Sequence, residues 1–165
     1  MHRVGYCHRD IKPDNILLRR RNEDLFDAYL ADFGLATAVG AQEGRGHALW
    51  MPRKVHGGEA TFSGDWEMIF YVSVFLWSGF LPWRRVNTPE GILDRKNRAF
   101  EDLEFFYHFY FPGAVVPEHV RELGEAVQDV EAVVDFGRIR AILAGHGLVG
   151  PIDFDQLLQV NKKKS

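Results

Sequence analysis

The stretch from Tyr6 to Leu18, YCHRDIKPDNILL, decides how the rest of the chain is read. It sets His8, Arg9, Asp10, Lys12, Asp14 and Asn15 directly against the apolar run Ile16-Leu17-Leu18. A polar turn that feeds a short apolar strand is held in place by that strand, and turns positioned on a rigid scaffold carry function. A second apolar run, Ala28-Tyr29-Leu30-Ala31, comes after the charged segment RRRNEDLFD. Two short strands joined by a turn are expected, with Asp32 directly after the second.

These residue types suit one chemistry. Phosphoryl transfer needs a carboxylate to orient the attacking hydroxyl and accept its proton. It also needs a cation near the moving group and oxygen ligands for Mg²⁺. Asp10, Lys12 and Asn15 are one of each. A hairpin would bring Asn15 and Asp32 to the same end, where both could hold a metal.

The totals permit this. The chain has 165 residues, enough for one domain or a large piece of one. Apolar residues make up 46% and charged residues 26%, so a core is expected and wholesale disorder is not. A net charge of −3 offers no electrostatic case for nucleic acid or membrane as a partner. Cys7 is the only cysteine, which rules out an intrachain disulfide and favours a reducing, intracellular setting, cytoplasmic or nuclear. The segment WEMIFYVSVFLWSGFLPW, Trp66 to Trp83, holds Glu67, Gly79 and Pro82 and falls short of a spanning helix. It reads as the buried axis of a helical domain, capped by Asp65.

Between Thr37 and Gly64 there is no sustained period, and a long loop is expected. Thr88-Pro89-Glu90 opens a second helix, continued by Arg95 to Phe111. A third starts at Pro117-Glu118, with Val120, Leu123, Val127 and Val130 at helical spacing. A last one covers about Phe136 to Ala144. The GxGxxG at Gly145–Gly150 comes after a helix rather than a strand and reads as its terminator. The fold class is mostly α (α+β), two short strands and then helices. Residues 1–150 form the domain, and 151–165 form a solvated basic tail. Cys7 reads as core filler, Phe105 to Phe111 as core, and Arg19-Arg20-Arg21 as a solvated turn.

HRDIKPDN resembles the protein-kinase catalytic loop H-R-D-x-K-x-x-N, and ADFG at Ala31–Gly34 resembles the metal-binding motif that comes next in that family. Lys12 is the type found in serine/threonine kinases. GHALWMPRK, Gly46 to Lys54, aligns with the family's G-T-x-x-Y-x-A-P-E segment. DWEMIFYVSVFLWSGFLPW is similar to a segment of casein-kinase-type members. The resemblance implies a kinase C-terminal lobe, a catalytic-loop hairpin and then helices packed around a buried apolar helix, over about residues 2 to 145. It implies ATP and Mg²⁺ as cofactors and a protein substrate. Asp10 would be the catalytic base and Lys12 would contact the γ-phosphate. Asn15 and Asp32 would bind the metal, and Leu17 would floor the adenine pocket. His8 and Arg9 would be scaffold, Asp65 would hold the catalytic loop's backbone, and Phe33 would pack against the helix preceding the chemistry.

Several positions depart from the pattern. The glycine-rich loop, strand lysine and helix glutamate that the family places upstream have no counterpart here, so the N-terminal lobe is absent and weak ATP binding is expected of this chain alone. The family's Ala-Pro-Glu falls on Pro52-Arg53-Lys54, and His47 stands where a threonine is usual. Thr37 is the only hydroxyl between Gly34 and Ala60. The expected function is a serine/threonine protein kinase. The alternatives are a catalytically idle kinase-like module that binds partners and a small-molecule kinase.

Overall fold

A computed structural model describes residues 1–22, 26–42, 46–128 and 136–145. The chain divides into two units, Met1–Val134 and Asp135–Ser165, each taken by itself. Of the second, the helix Phe136–Gly145 is described. The GxGxxG stretch beyond Gly145, the basic tail and Val130 lie outside the described residues.

In the first unit, β1 (Tyr6–Cys7) leads into the polar turn, which closes with a 3-10 turn at Pro13–Asn15. Pro13 fixes the φ of the first 3-10 residue. β2 (Ile16–Arg20) and β3 (Phe26–Leu30) pair antiparallel, with Ile16 opposite Leu30 and Leu17 opposite Tyr29. The hairpin therefore forms as expected, one or two residues longer at its far end. Arg19 and Arg21 are exposed there, and both pair with Asp27 at 3.0 Å.

The segment after Thr37 is more ordered than its composition suggests. β4 (Thr37–Ala38) pairs antiparallel with β1, Cys7 facing Thr37. Gln42 bridges to Glu59, and α1 (Arg53–His56) makes one helical turn. A two-residue strand has no periodicity to read. It exists because a distant partner completes its ladder.

α2 (Phe62–Ser78) is the axis of the unit. Met68, Phe70, Tyr71, Val72 and Val74 are buried on several of its sides. Among the described residues, no helix is long and apolar enough to cross a membrane. The expected cap is corrected. Thr61 is the N-cap, and its side chain accepts from the Gly64 amide at 3.0 Å. Asp65 sits inside the first turn, where its carboxylate is turned to other work.

α3 (Pro89–Glu101) and α4 (Leu103–Tyr110) are two helices rather than the expected continuous one. Asp102 breaks them with an extended backbone, φ −146°, and its carboxylate caps α4 through the Phe105 amide at 2.8 Å. The aromatic run divides accordingly. Phe106, Tyr107 and Phe111 are buried, while Phe105 and Phe109 are exposed and stack on each other. α5 (Glu118–Ala126) buries Val120 and Leu123, and Val127 just beyond it is also buried. Gly124 faces Phe70 of α2 and the Tyr107 hydroxyl of α4. A Cβ there would lie 3.0 and 2.7 Å from them.

Candidate active site

The polar turn is pinned from below. Asp65 of α2 is 2% exposed, and its two carboxylate oxygens accept from the backbone amides of His8 at 2.7 Å and Arg9 at 2.9 Å. His2 Nε2 lies 2.6 Å from the same carboxylate. Arg9 holds a left-handed backbone, φ 69°, which a side chain rarely adopts unless its surroundings impose it. Asp65 imposes it here.

The turn presents its polar groups to one another. Asp10 Oδ2 accepts from Lys12 Nζ at 2.7 Å and from Asn15 Nδ2 at 2.8 Å. Asn15 Nδ2 also donates to the Asp10 carbonyl at 2.8 Å. Asp10 and Asn15 are buried, and the Lys12 side chain is 22% exposed.

The hairpin closes the other side. The Ala31 amide donates to the Asn15 carbonyl at 2.8 Å, which sets Asp32 one residue past the same end. His8 Nε2 bonds the Ala31 carbonyl at 3.0 Å, and its ring meets Phe33 edge-on at 4.9 Å. His8 is thus the scaffold piece that ties the two turns together. Asp32 is left-handed, φ 57°, and its Oδ1 accepts from the Gly34 amide at 3.2 Å. A Cβ on Gly34 would stand 3.1 Å from that oxygen, so glycine admits the close approach. Asp32 is exposed, and Leu17 is 57% exposed on β2.

The donor set suits one metal class. Asn15 turns its amide nitrogen to Asp10, leaving its amide oxygen to face elsewhere, and Asp32 offers a carboxylate. One amide oxygen and one carboxylate are hard ligands of the kind Mg²⁺ takes while keeping waters and phosphate oxygens. Among the described residues, no cluster of three or more His, Cys, Asp or Glu forms.

Comparison with known proteins finds protein kinases. The chain is 32% identical over 111 residues to a probable casein kinase I homolog of Encephalitozoon cuniculi, covering 60% of this chain and 33% of that protein. It is 31% identical over 108 residues to the serine/threonine-protein kinase VRK1 of Caenorhabditis briggsae, covering 59% of this chain and 19% of that one. The chain is homologous to protein kinases of the casein kinase I and vaccinia-related type. The solved structure of vaccinia related kinase 3 superposes with a TM-score of 0.70 at 17% identity, over 88% of this chain and 49% of that one. That likeness shows the fold, a kinase C-terminal lobe. The kinase-like chain spans about a third and a fifth of the length of the two curated relatives. No family model matches it.

The departures from the kinase pattern find partners. Arg53, in place of the motif's proline, has a side chain only 8% exposed. Its Nε lies 3.2 Å from Glu67 Oε1, and its amide donates to the same oxygen at 2.8 Å. Its guanidinium also donates to the Val127 and Gln128 carbonyls and lies 3.7 Å from the Phe100 ring. His47 is exposed, and its backbone carbonyl accepts from Trp50 and Met51. Cys7 is buried, and desolvation, with the Asp65 charge adding, pushes its thiol up to about 12. It is core filler, as expected.

One buried group escaped the sequence reading. Lys96 sits amid the charged segment DRKNR and is fully buried. The signal lay in its spacing. Ile92, Lys96, Ala99 and Phe100 share the buried stripe of α3.

Proposed function

We propose that this chain carries the acceptor-activating and metal-binding part of a serine/threonine protein kinase, which transfers the ATP γ-phosphate to a protein hydroxyl with Mg²⁺. The observation that supports it most is the shared oxygen of Asp10. Lys12 and Asn15 both bond Oδ2, so the incoming hydroxyl meets Oδ1, which orients it and takes its proton. Lys12, held 2.7 Å from that carboxylate, brings a positive charge to the transferring phosphoryl group. Asn15 and Asp32 would hold the metal, from the two turns that the hairpin sets side by side. Mg²⁺ bound there would neutralise charge on the phosphate oxygens. Leu17, exposed on β2 beside the turn, offers an apolar floor for adenine.

Isothermal titration with ATP, in the presence and absence of Mg²⁺, tests the reading on the 165-residue chain. Weak binding that needs Mg²⁺ and disappears in Asp32→Ala is expected. Binding indifferent to both the metal and residue 32 overturns it.

A second reading is an idle kinase-like module that binds partners. The exposure of Leu18 and Phe33 beside the site favours it, 66% and 53% respectively. Phosphate transfer to casein, lost in Asp10→Ala, decides for the first reading. Nucleotide binding without transfer decides for the second.

A further inference from the structure

The loop from Gly46 to Pro52 has no regular structure, yet its carbonyls are held from beneath. Lys96 Nζ donates to the Ala48 carbonyl at 2.8 Å and to the Met51 carbonyl at 2.6 Å. Between them, Trp83 Nε1 donates to the Leu49 carbonyl at 2.8 Å. The loop is tied to itself as well, since the Trp50 and Met51 amides both donate to the His47 carbonyl. Trp50 is buried against Phe75 at 5.6 Å.

The other side of this loop meets the site. A Cβ on Gly46 would lie 3.8 Å from the Arg9 carbonyl, one peptide before Asp10. Gly46 and His47 are exposed. A polypeptide that brings a hydroxyl to Asp10 therefore runs past this surface, whose shape is set by three inward-turned carbonyls.

Lys96 is an expensive way to satisfy two of them. An ammonium that is fully buried loses its hydration, and methionine would fill the same volume without that cost. Tyr71 and Trp83 present ring faces to Nζ at 4.9 and 5.4 Å, and the amine and the ammonium alike carry the two N–H donors. Lys96 supplies what methionine cannot, two donors at a spacing that matches two carbonyls of one turn.

We propose that Lys96 is a positioning residue. It fixes Gly46–Pro52 as the seat on which a substrate protein's backbone lies beside Asp10. This rests on the phosphotransfer reading above.

Amide hydrogen exchange on the 165-residue chain tests the seat directly. In Lys96→Met, the Trp50 and Met51 amides should exchange at least tenfold faster while the α2 amides keep their protection. Lys96→Arg, which keeps the donors, should restore the slow exchange. Equal protection in wild type and Lys96→Met overturns the proposal. If Lys96→Met does not fold, ¹⁵N spectra of the wild-type Nζ decide. Protected protons support the clamp, and a freely exchanging ammonium refutes it. With casein and Mg-ATP, Lys96→Met should raise KM for casein about tenfold and leave KM for ATP within twofold. Unchanged KM for casein counts against the seat. A wild-type chain that neither binds ATP with Mg²⁺ nor transfers phosphate sinks the kinase reading, and the exchange result then judges Lys96 on its own.

Discussion

Asp65 reaches across 57 residues of sequence to hold the backbone amide of His8 at 2.7 Å, and its second oxygen holds Arg9 at 2.9 Å. The central helix thereby grips the polar turn by its main chain, leaving the side chains of Asp10, Lys12 and Asn15 to one another. Replacing Asp65 with alanine strands two buried amide donors and releases the left-handed strain at Arg9. Each buried unsatisfied donor costs about 1–3 kcal/mol. Urea denaturation of Asp65→Ala should show a loss of roughly 2–5 kcal/mol on that basis. A variant as stable as wild type would show that the grip contributes nothing.

Asp10→Asn keeps the shape of the turn but removes the charge that Lys12 and the acceptor proton need. General-base contributions run to about 10²–10⁴-fold. Phosphate transfer to casein should fall by that order while the far-ultraviolet circular dichroism is retained. Undiminished transfer would place the base elsewhere.

Burial pushes the Lys96 ammonium down from its ordinary 10.5 to about 7, against the opposing pull of Glu67. His56 on α1 is itself pushed down to about 4 by burial and by Lys96, and Tyr71 on α2 is driven up by burial. Above about pH 8.5 the Cys7 thiol, pushed up from 9 to about 12, opposes the trend, but neither it nor these two groups competes between pH 7 and 8.5. Over that window the unfolded chain binds a proton that the folded chain does not, so stability rises with pH. The gain should be on the order of a few kcal/mol. Thermal melts at pH 7 and 8.5 should show it in wild type, and its equal size in Lys96→Met would assign it to another group.

Gly124 is a packing constraint. Alanine has the better helix propensity by about 1 kcal/mol. Its methyl group, however, would stand 2.7 Å from the Tyr107 hydroxyl and 3.0 Å from the Phe70 ring. Separating α5 from both should reverse the sign, with a net loss of about 1–3 kcal/mol by overpacking. A Gly124→Ala protein that melts higher than wild type would contradict this junction.

Cys7 should resist thiol reagents in the folded chain at pH 8, because its thiol is buried and held well above its ordinary range. Labelling as fast as in urea would put it at the surface.

Much of the site was legible in the order of residues. Short-range chemistry carries the turn at Asp10, the hairpin that aligns Asn15 with Ala31, and the apolar run of α2. Each depends on neighbours within one turn or one hairpin. The hold of Asp65 on the backbone of the polar turn was implied by the kinase resemblance and is found, but Thr61 rather than Asp65 caps α2. Other long-range pieces were not legible. Asp102 splits a continuous aromatic pattern because its side chain caps the next helix. β4 is too short to show a period and forms only against β1.

By itself the sequence determined the polar turn, its carboxylate, cation and amide, and the helical character of the segments beyond the hairpin, since these rest on local periodicity and side-chain type. The tertiary structure alone decided that the side chains of Arg53 and Lys96 are buried. Both look like ordinary surface residues in a string of letters. They became internal struts because backbone carbonyls far away in the chain arrive there, and their long charged side chains reach them.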